Sequence, residues 1–393
     1  MTVTFLTGDS RMMLETLDDK SVQCCVTSPP YYGLRDYGVD GQIGLEPTLE
    51  AYVAEMVALF RGVRRVLRDD GAVWLNLGDS YANIGHAKGN KGSGKGRAGH
   101  RETEGGYEKG QESGFKNKDL LMVPARVAIA LQADGWYLRS DIIWAKPNPM
   151  PESTTDRPTS AHEHVFLLTK SAKYFYDAEG VKEQAVTPAG TKGGKGSAAR
   201  FAAEGVNSRP PEYAVYDGTR NRRNVWTIPS RPFRGAHFAT MPVDLADVCV
   251  RAGTSERGCC PSCGASWVRV TERPKPPAVA PSDLDRFGTG DAGVHRKVGG
   301  QYQKWLDENP TRTTGWKPTC SCPGHEPVSS VVLDPFGGAG TTALAADRLG
   351  RDAILLELNP EYVILARDRI DTDRASRGLK ISEPEPSMED MLS

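Results

Sequence analysis

Two short segments at opposite ends of this 393-residue sequence carry residue types that could do chemistry. Residues 27–31 read TSPPY and offer a hydroxyl, a proline carbonyl and an aromatic face, which suit a planar base bearing an amino group. Residues 334–341 read DPFGGAGT and offer a glycine turn that opens a helix, which suits a nucleoside cofactor. Both follow apolar, β-branched runs, so each is predicted just beyond the carboxyl end of a strand, where open α/β sheets bind ligands.

The elements that must position the first segment alternate between strand and helix patterns. Residues 1–85 read as strand, helix, strand, helix, strand. Apolar residues at helical spacing predict a helix from Glu50 to Arg68, which Gly71 is expected to close. A further helix is predicted from Leu120 to Ala133, with strands over 140–145 and 164–169.

The second segment belongs to the clearest unit of the sequence, residues 330–371. These residues read as strand, glycine turn, helix and strand, followed by a last helix with Asn359 as its cap. Residues 338–343, GAGTTA, match the pattern G-x-G-x-x-A, and Glu357 ends the next strand, where its carboxylate can accept hydrogen bonds from ribose hydroxyls. That pattern leaves NAD and S-adenosylmethionine open. The Asp-Pro-Phe directly before the glycines resembles the methyltransferase form.

Together the two motifs resemble those of the DNA amino-methyltransferases, which move a methyl from S-adenosylmethionine to the exocyclic nitrogen of adenine or cytosine. The target-base motif precedes the cofactor motif, as in the permuted β-type of that family. The resemblance implies an α/β, Rossmann-like, S-adenosylmethionine-dependent core that is circularly permuted and acts on double-stranded DNA. It implies a catalytic turn of Ser28, Pro29, Pro30 and Tyr31, and cofactor contacts from Asp9, His237, Asp334, Phe336, Gly338, Gly340, Thr341 and Glu357.

The catalytic turn suits an exocyclic amine, whose lone pair is delocalised into the ring. Ser28 Oγ and the Pro29 carbonyl can accept its N–H groups and favour a pyramidal nitrogen, while Tyr31 stacks on a flipped base. Ser28 in first position resembles the N4-cytosine enzymes more than the N6-adenine enzymes, which usually carry Asp there, so adenine stays as the alternative. C5-cytosine chemistry needs a Pro-Cys thiolate, whereas Cys24 and Cys25 lie in an apolar strand and are expected in the core.

Three cofactor contacts follow from the resemblance. Residues 8–10, GDS, match the loop whose acid reads the cofactor adenine, which assigns Asp9. Residues 237–242, HFATMP, resemble the segment around the methionine end and assign His237. Asp334 can take the cofactor's ammonium.

Composition predicts a soluble, cytoplasmic protein without a membrane segment, because no apolar stretch approaches ~20 residues and the start lacks a secretion signal. The net charge of −1 conceals local basic tracts. Residues 88–101 hold five Lys or Arg and no acid, and residues 187–235 hold nine against three acids. These tracts predict DNA contacts or, alternatively, solvated loops. The predicted DNA-binding residues are Lys88, Lys91, Lys95, Arg97, Arg220, Arg222, Arg223 and Arg231.

Cysteine spacing predicts a structural zinc site. Residues 260–263 read CPSC and residues 320–322 read CSC, so Cys260, Cys263, Cys320 and Cys322 could form a closed tetrahedral site that staples a Pro-rich segment. Cys259 or His325 could substitute, and free thiols are the alternative.

The predicted organisation has six parts. They are a target-base half at 1–177 with a mobile, basic, Gly-rich insertion at 86–119, a recognition region at 178–235, a cofactor-flanking helix at 236–256, a zinc module at 257–326, a cofactor half at 327–371 and an acidic polar tail at 372–393. Two rival functions remain open: methylation of RNA or of a protein glutamine, and non-catalytic nucleic-acid binding by a zinc protein. A cognate restriction nuclease is compatible with the sequence but not implied by it.

Overall fold

The computed structural model describes six parts of the chain, which are residues 1–82, 114–184, 219–231, 240–272, 312–324 and 326–379. They fall into two compact units. The larger unit spans Met1–Tyr176, Asn224–Ser266 and Cys322–Ser393, and the smaller spans Asp177–Arg223 and Trp267–Ser321. Most of the predicted basic insertion, recognition region and acidic tail lies outside the described residues. No helix within the described ranges is long and apolar enough to cross a membrane.

The described residues form twelve strands. In chain order they are β1 (Val3–Thr7), β2 (Val22–Thr27), β3 (Leu67–Leu77), β4 (Tyr137–Ala145), β5 (His162–Thr169), β6 (Glu183–Gln184), β7 (Thr219–Arg220), β8 (Val225–Thr227), β9 (Trp267–Glu272), β10 (Arg312–Pro318), β11 (Val331–Asp334) and β12 (Asp352–Glu357). Eight of them make the central sheet of the larger unit in the order β1-β12-β11-β2-β3-β5-β4-β8. The strands β2 and β11, which precede the two sequence motifs, pair in parallel at its centre.

Six helices accompany the sheet. They are α1 (Ser10–Glu15), α2 (Leu49–Val66), α3 (Val123–Ala133), α4 (Val243–Gly253), α5 (Thr341–Arg348) and α6 (Pro360–Ser376). Asn359 caps α6 as predicted, its side chain accepting the backbone N–H of Glu361 at 2.9 Å.

The predicted end of α2 at Gly71 is wrong. The helix ends at Val66, and β3 begins at Leu67 because Leu67 already pairs with Val22 of β2. Gly71 lies inside β3, where a Cβ atom would come within 2.9 Å of the Gln23 carbonyl oxygen. The glycine therefore serves the close approach of two strands.

The helices cover both faces of the sheet. Cys24 and Cys25 are neighbours on β2, so their side chains point to opposite faces. Cys25 packs in the core cluster formed with α1, α2 and α3. Cys24 faces α4, where a Cβ built on Gly253 would come within 2.5 Å of its Sγ. Both thiols are fully buried, as expected for core residues, and burial raises the pKa of each well above its ordinary value.

Strand direction decides which side chains meet at one edge of the sheet. β1, β12, β11, β2 and β3 run parallel, β5 runs antiparallel between β3 and β4, and β8 is parallel to β4. Seven strands thus end at the same edge. The single antiparallel strand β5 contributes its amino end there, so residues that start β5 join residues that follow the other strands.

The smaller unit contains two small antiparallel pairs, β6 with β7 and β9 with β10. Polar contacts stabilise it: Arg269 donates to the buried carboxylate of Asp177 at 2.8 Å and its guanidinium lies 4.5 Å from the Trp316 ring centroid. β8, although inside the predicted recognition region, belongs to the sheet of the larger unit.

Candidate active site

One cavity of about 620 Å³ lies at the carboxyl edge of the central sheet, within the larger unit. Its walls include the catalytic turn that follows β2 and the glycine turn that follows β11. Because β2 and β11 are adjacent parallel strands, two motifs some 300 residues apart open into the same space. Each segment thus lies at the carboxyl end of a strand, as predicted from the apolar runs before it.

The catalytic turn is held rigidly at the target-base end of this cavity. Pro29 is buried, and the carbonyl of Pro30 accepts the buried hydroxyl of Tyr52 at 2.9 Å. Gly44 packs on the turn with φ +106°, and a Cβ there would come within 3.2 Å of Pro30. Fixed proline φ angles and these contacts leave Ser28 and Tyr31 as the polar groups that the turn presents to the cavity.

Tyr31 is bonded at both sides of its hydroxyl. The oxygen lies 3.3 Å from Ser28 Oγ and donates to Glu163 Oε2 at 2.6 Å. Burial, with the negative charge of Glu163 as the next cause, raises the pKa of Tyr31 well above its ordinary value. Tyr31 therefore stays protonated at physiological pH.

Three polar residues of the base end were not predicted from the sequence: Asn76 near the end of β3, Lys146 just after β4, and Glu163 near the start of β5. Asn76 Nδ2 donates to Glu163 Oε2 at 3.0 Å, and Lys146 Nζ forms an ion pair with Glu163 Oε1. The ammonium of Lys146 also lies 4.6 Å from the Trp144 ring centroid. One signal was available, since Asn76 is the lone polar residue of the apolar run 72–77.

The glycine turn forms the cofactor end. Gly338 (φ +48°) and Gly340 (φ +71°) adopt backbone angles that L side chains rarely reach. A Cβ on Gly338 would meet nothing closer than 3.8 Å, so that backbone faces open space, whereas one on Gly340 would collide with Ala366 of α6 at 2.8 Å. Gly338 thus permits close approach of a ligand, and Gly340 permits close packing of α5 on α6.

Glu357 lies at the end of β12 and lines the cavity beside this turn. Its two oxygens accept the backbone N–H groups of Gly338 at 2.7 Å and Asn359 at 2.9 Å. These bonds fix the carboxylate, and each oxygen keeps a lone pair for a further donor. Burial raises the pKa of Glu357 above its ordinary value.

Asp334 lines the cavity but is engaged inside the protein. Its oxygens accept the hydroxyls of Thr27 and Thr342, each at 2.7 Å, and the backbone N–H of Phe336 at 3.0 Å. Burial nevertheless raises the pKa of Asp334 to about 7. The carboxylate ties β11 to β2 and α5, and its predicted contact with a cofactor ammonium stays a prediction.

The other predicted cofactor residues have distinct surroundings. Asp9 caps α1 by accepting the backbone N–H of Arg11 at 2.8 Å and also forms an ion pair with that arginine, which lowers the pKa of Asp9. Phe336 and Thr341 line the cavity, and the hydroxyl of Thr341 accepts a hydrogen bond from Arg369 at 2.9 Å. His237 lies outside the described residues.

Three of the predicted DNA-binding arginines form ion pairs with acids. Arg220 and Arg223 both donate to Glu183 Oε1 at 2.7 Å within the smaller unit. Arg231 pairs with Asp244 at 2.9 Å and lines the cavity in the larger unit. Arg222 is half-buried. Lys88, Lys91, Lys95 and Arg97 lie outside the described residues.

The cysteines of the predicted zinc site lie partly in the larger unit. The Sγ atoms of Cys260, Cys263 and Cys322 there are within 4.8 Å of one another. A tight turn brings the first two together, with the Gly264 N–H donating to the Cys260 carbonyl at 2.7 Å. Cys320 stands two residues before Cys322 in the chain. Cys259 is buried with its Sγ 3.6 Å from the Ser329 carbonyl, and His325 lies outside the described residues.

A family model described as DNA methylase matches residues 22–260 and 321–368, which is most of the chain. The chain belongs to the DNA methylase family. It is an S-adenosylmethionine-dependent DNA methyltransferase, and the resemblance predicted from the two motifs is confirmed.

Individual relatives agree with the family. This DNA methylase is 38% identical over 365 residues to Type II methyltransferase M.SmaI of Serratia marcescens, covering 93% of this chain and 89% of the relative. It is 36% identical over 367 residues to Type II methyltransferase M.XycI of Xanthomonas campestris pv. cyanopsidis, covering 93% and 87%. A solved structure of PvuII DNA methyltransferase (cytosine-N4-specific) matches with a TM-score of 0.50 and 18% identity over 97% of this chain and 94% of that chain, which shows a shared fold.

Proposed function

We propose that this enzyme methylates the N4 amino group of cytosine in a specific duplex DNA sequence, as the modification enzyme of a Type II system. The observation that carries the proposal is the opening of Ser28 and the 338–341 glycine turn into one cavity. Ser28 in the first position of the turn favours cytosine, and N6 of adenine is the alternative base. The PvuII DNA methyltransferase, which shares the fold, is cytosine-N4-specific, in agreement with this preference. A cognate nuclease is compatible with this role but has no support from the chain itself.

The residues at the cofactor end fit S-adenosylmethionine, which supplies an electrophilic methyl group when bound. Gly338 leaves open space against the backbone, where a nucleoside can approach. Glu357, fixed by two backbone N–H groups, can accept ribose hydroxyls through its remaining lone pairs. Asp9 would contact the adenine, Phe336 and Thr341 would line the site, and His237 and Asp334 would face the methionine end.

The residues at the base end would prepare the amine. Ser28 Oγ and the Pro29 carbonyl would accept its two N–H groups, which favours a pyramidal nitrogen whose lone pair faces the methyl. Tyr31 would stack on the base and help offset the few kcal/mol that flipping costs. The rigid turn holds these acceptors in place before the base arrives.

We also propose that the core is circularly permuted. The strand that carries the glycine turn, β11, lies late in the chain but beside β2 at the centre of the sheet, and β1 pairs with β12 at one side. A chain of this order supplies the base-binding turn before the cofactor turn.

A structural zinc ion bound by Cys260, Cys263, Cys320 and Cys322 is the third part of the proposal. Tetrahedral zinc thiolate sites place sulfur atoms about 3.8 Å apart, so three Sγ atoms within 4.8 Å fit a shared ion after small adjustments. The transfer chemistry needs no metal, so this ion would stabilise the fold only. Recognition of the DNA sequence is proposed for residues 178–235 and phosphate contact for residues 86–119.

Incubation of the purified enzyme with duplex DNA and cofactor carrying a labelled methyl group tests the function. Mass spectrometry of the digested nucleosides should find label in N4-methylcytosine. Label in N6-methyladenine would instead identify adenine as the target base. Label found only on RNA or protein substrates would favour an RNA or protein methyltransferase. Binding of DNA without any methyl transfer would favour a non-catalytic nucleic-acid-binding protein.

A further inference from the structure

The hydroxyl of Tyr31 links the catalytic serine to a carboxylate that the proposed function does not use. Its oxygen lies between Ser28 Oγ at 3.3 Å and Glu163 Oε2 at 2.6 Å. All three side chains line the cavity. Ser28, Tyr31 and Glu163 therefore form a short chain of hydrogen bonds that starts where the target amine would sit.

Glu163 determines the direction of donation in this series of hydrogen bonds. Both oxygens of Glu163 act as hydrogen-bond acceptors. Oε2 accepts Asn76 Nδ2 at 3.0 Å, and Oε1 accepts the ammonium of Lys146. The orientation of the Asn76 amide is settled by its surroundings, because Nδ2 also lies 3.1 Å from the carbonyl of His164, which can only accept.

The remaining directions follow in sequence. Tyr31 has one hydrogen and gives it to Glu163, so its oxygen faces Ser28 as an acceptor. Ser28 then gives its own hydrogen to Tyr31. The lone pairs of Ser28 Oγ are left for the cavity, which is the state that accepts a hydrogen bond from an amine.

We infer that Glu163 is a positioning residue which, through the hydroxyl of Tyr31, holds Ser28 as a hydrogen-bond acceptor toward the target amine. The inference rests on the proposed function of this site as an amino-methyltransferase. Its chemical importance lies in the lone pair of the amine nitrogen. If Ser28 donated a hydrogen to that nitrogen instead, it would occupy the lone pair that must attack the methyl.

The substitution Glu163→Gln reverses the chain while keeping the shape of the side chain. Lys146 and Asn76 Nδ2 both donate and face different oxygens of Glu163, so an amide can accept from only one of them. The charged donor Lys146 makes the stronger hydrogen bond, so the amide oxygen faces Lys146 while the amide nitrogen loses the Asn76 bond and faces Tyr31. Tyr31 then accepts from the amide and gives its hydrogen to Ser28. Ser28 in turn presents its own hydrogen to the cavity, and methyl transfer should slow.

The experiment measures the single-turnover rate of methyl transfer at saturating cofactor and duplex DNA. Glu163→Gln should lower this rate by roughly 100-fold, a size typical for one preorganised active-site hydrogen bond. Cofactor affinity by calorimetry and DNA affinity by filter binding should change little. Glu152→Gln is the matched control, since Glu152 pairs with Arg157, is not among the residues lining the cavity and should retain the wild-type rate.

A double variant separates this polarity effect from a merely structural one. Tyr31→Phe lacks the hydroxyl that would donate to Ser28 in Glu163→Gln, so adding Glu163→Gln to Tyr31→Phe should have little further effect on the rate. The double variant should therefore be about tenfold faster than Glu163→Gln alone. Wild-type rates in Glu163→Gln, or effects of the two substitutions that simply multiply, would overturn the inference. Failure of the wild-type enzyme to methylate DNA would instead refute the proposed function.

Discussion

At the scale of single residues, the two carboxylates at the cofactor end of the cavity, Glu357 and Asp334, have different surroundings. Glu357 is held by two backbone N–H groups and keeps lone pairs toward the cavity. Asp334 is held by two threonine hydroxyls and connects β11 to β2 and α5. The free lone pairs of Glu357 suit contact with a ligand. Asp334 instead connects structural elements and also borders the cavity.

Ser28→Ala and Tyr31→Ala should each abolish most turnover while cofactor affinity stays nearly intact, because both residues act on the base. Tyr31→Phe should be milder than Tyr31→Ala, since the aromatic ring remains available for stacking. Steady-state kinetics combined with calorimetry would check this. A loss of cofactor affinity in Ser28→Ala would place that serine in the cofactor site instead.

Glu357→Ala should have the opposite effect and raise the cofactor dissociation constant about tenfold or more, corresponding to roughly 1–3 kcal/mol for hydrogen bonds to a charged group. Calorimetric titration with the cofactor measures this directly. Glu361→Ala, on the exposed first turn of α6, is a suitable control because its side chain does not line the cavity. An unchanged dissociation constant in Glu357→Ala would move the ribose contact elsewhere.

Asp334 should make stability depend on pH. Its pKa is raised from 3.8 to about 7, so burial of the charged form opposes folding, and the stabilisation present at low pH is lost as the pH rises through 7. Between pH 5.5 and 8.5 this loss is about 2 kcal/mol. Asp334→Asn is neutral and should escape it. Urea unfolding at both pH values should therefore show the wild type losing more stability than the variant, and parallel losses would contradict the raised pKa.

At the scale of elements, β5 explains why part of the site could not be predicted from the sequence. Ser28, Asp334 and Glu357 were predictable because each lies at or just beyond the carboxyl end of a strand. Glu163 is the second residue of its strand, and only the antiparallel direction of β5 brings it to the same edge. Strand direction depends on pairing between distant segments, which no local pattern encodes.

Other element boundaries show the same limit. The helix after Asn359 and the strands around both motifs were predictable because caps, glycines and apolar runs are local signals. The end of α2 was not, because pairing of Leu67 with Val22 overrode the glycine signal at Gly71. The short strand β8 has only three residues, with a single buried side chain, Trp226, and thus carries too little pattern to predict.

The Cys260–Cys263 turn should bind metal. We expect one zinc ion per chain in protein purified without chelator, and loss of that ion with a fall in thermal stability after combined Cys260→Ser and Cys320→Ser substitution. Elemental analysis and thermal unfolding measure both. The Cys259→Ser variant should keep the zinc ion. Loss of zinc in that variant would show that Cys259 is one of the zinc ligands. Absence of zinc from the wild type would reject the site.

At the scale of the whole molecule, charge is distributed unevenly in a chain whose net charge is −1. Several arginines described by the structure form ion pairs with acids, as Arg220 and Arg223 do with Glu183. A paired guanidinium is held in a fixed orientation, which suits recognition of a base edge more than neutralisation of phosphate. The basic tract at 88–101 has no acid among its residues and suits phosphate contact.

The two tracts should therefore respond differently to substitution. Neutralising Lys88, Lys91, Lys95, Arg97 and Arg101 should flatten the salt dependence of DNA binding and weaken binding about equally on every sequence. Substituting Arg220, Arg222, Arg223 or Arg231 should change which sites are methylated, at roughly 1–3 kcal/mol for a lost base contact. Methylome sequencing after expression of each variant distinguishes them. If substitutions in residues 88–101 changed which sites are methylated, and the arginine substitutions only lowered methylation at all sites, the two tracts would have the opposite roles.

The pairing of β2 with β11 also has a consequence for biosynthesis. Thr27 and Asp334, whose side chains are bonded across these strands, stand 307 residues apart. At ordinary translation rates of about 5–20 residues per second, the ribosome takes roughly 15–60 s to make the intervening chain. During that interval the nascent β2 has no partner on one side, and the cavity has neither its cofactor turn nor Glu357. A newly started polypeptide therefore cannot methylate DNA until residues 334–357 have emerged and docked on the earlier strands.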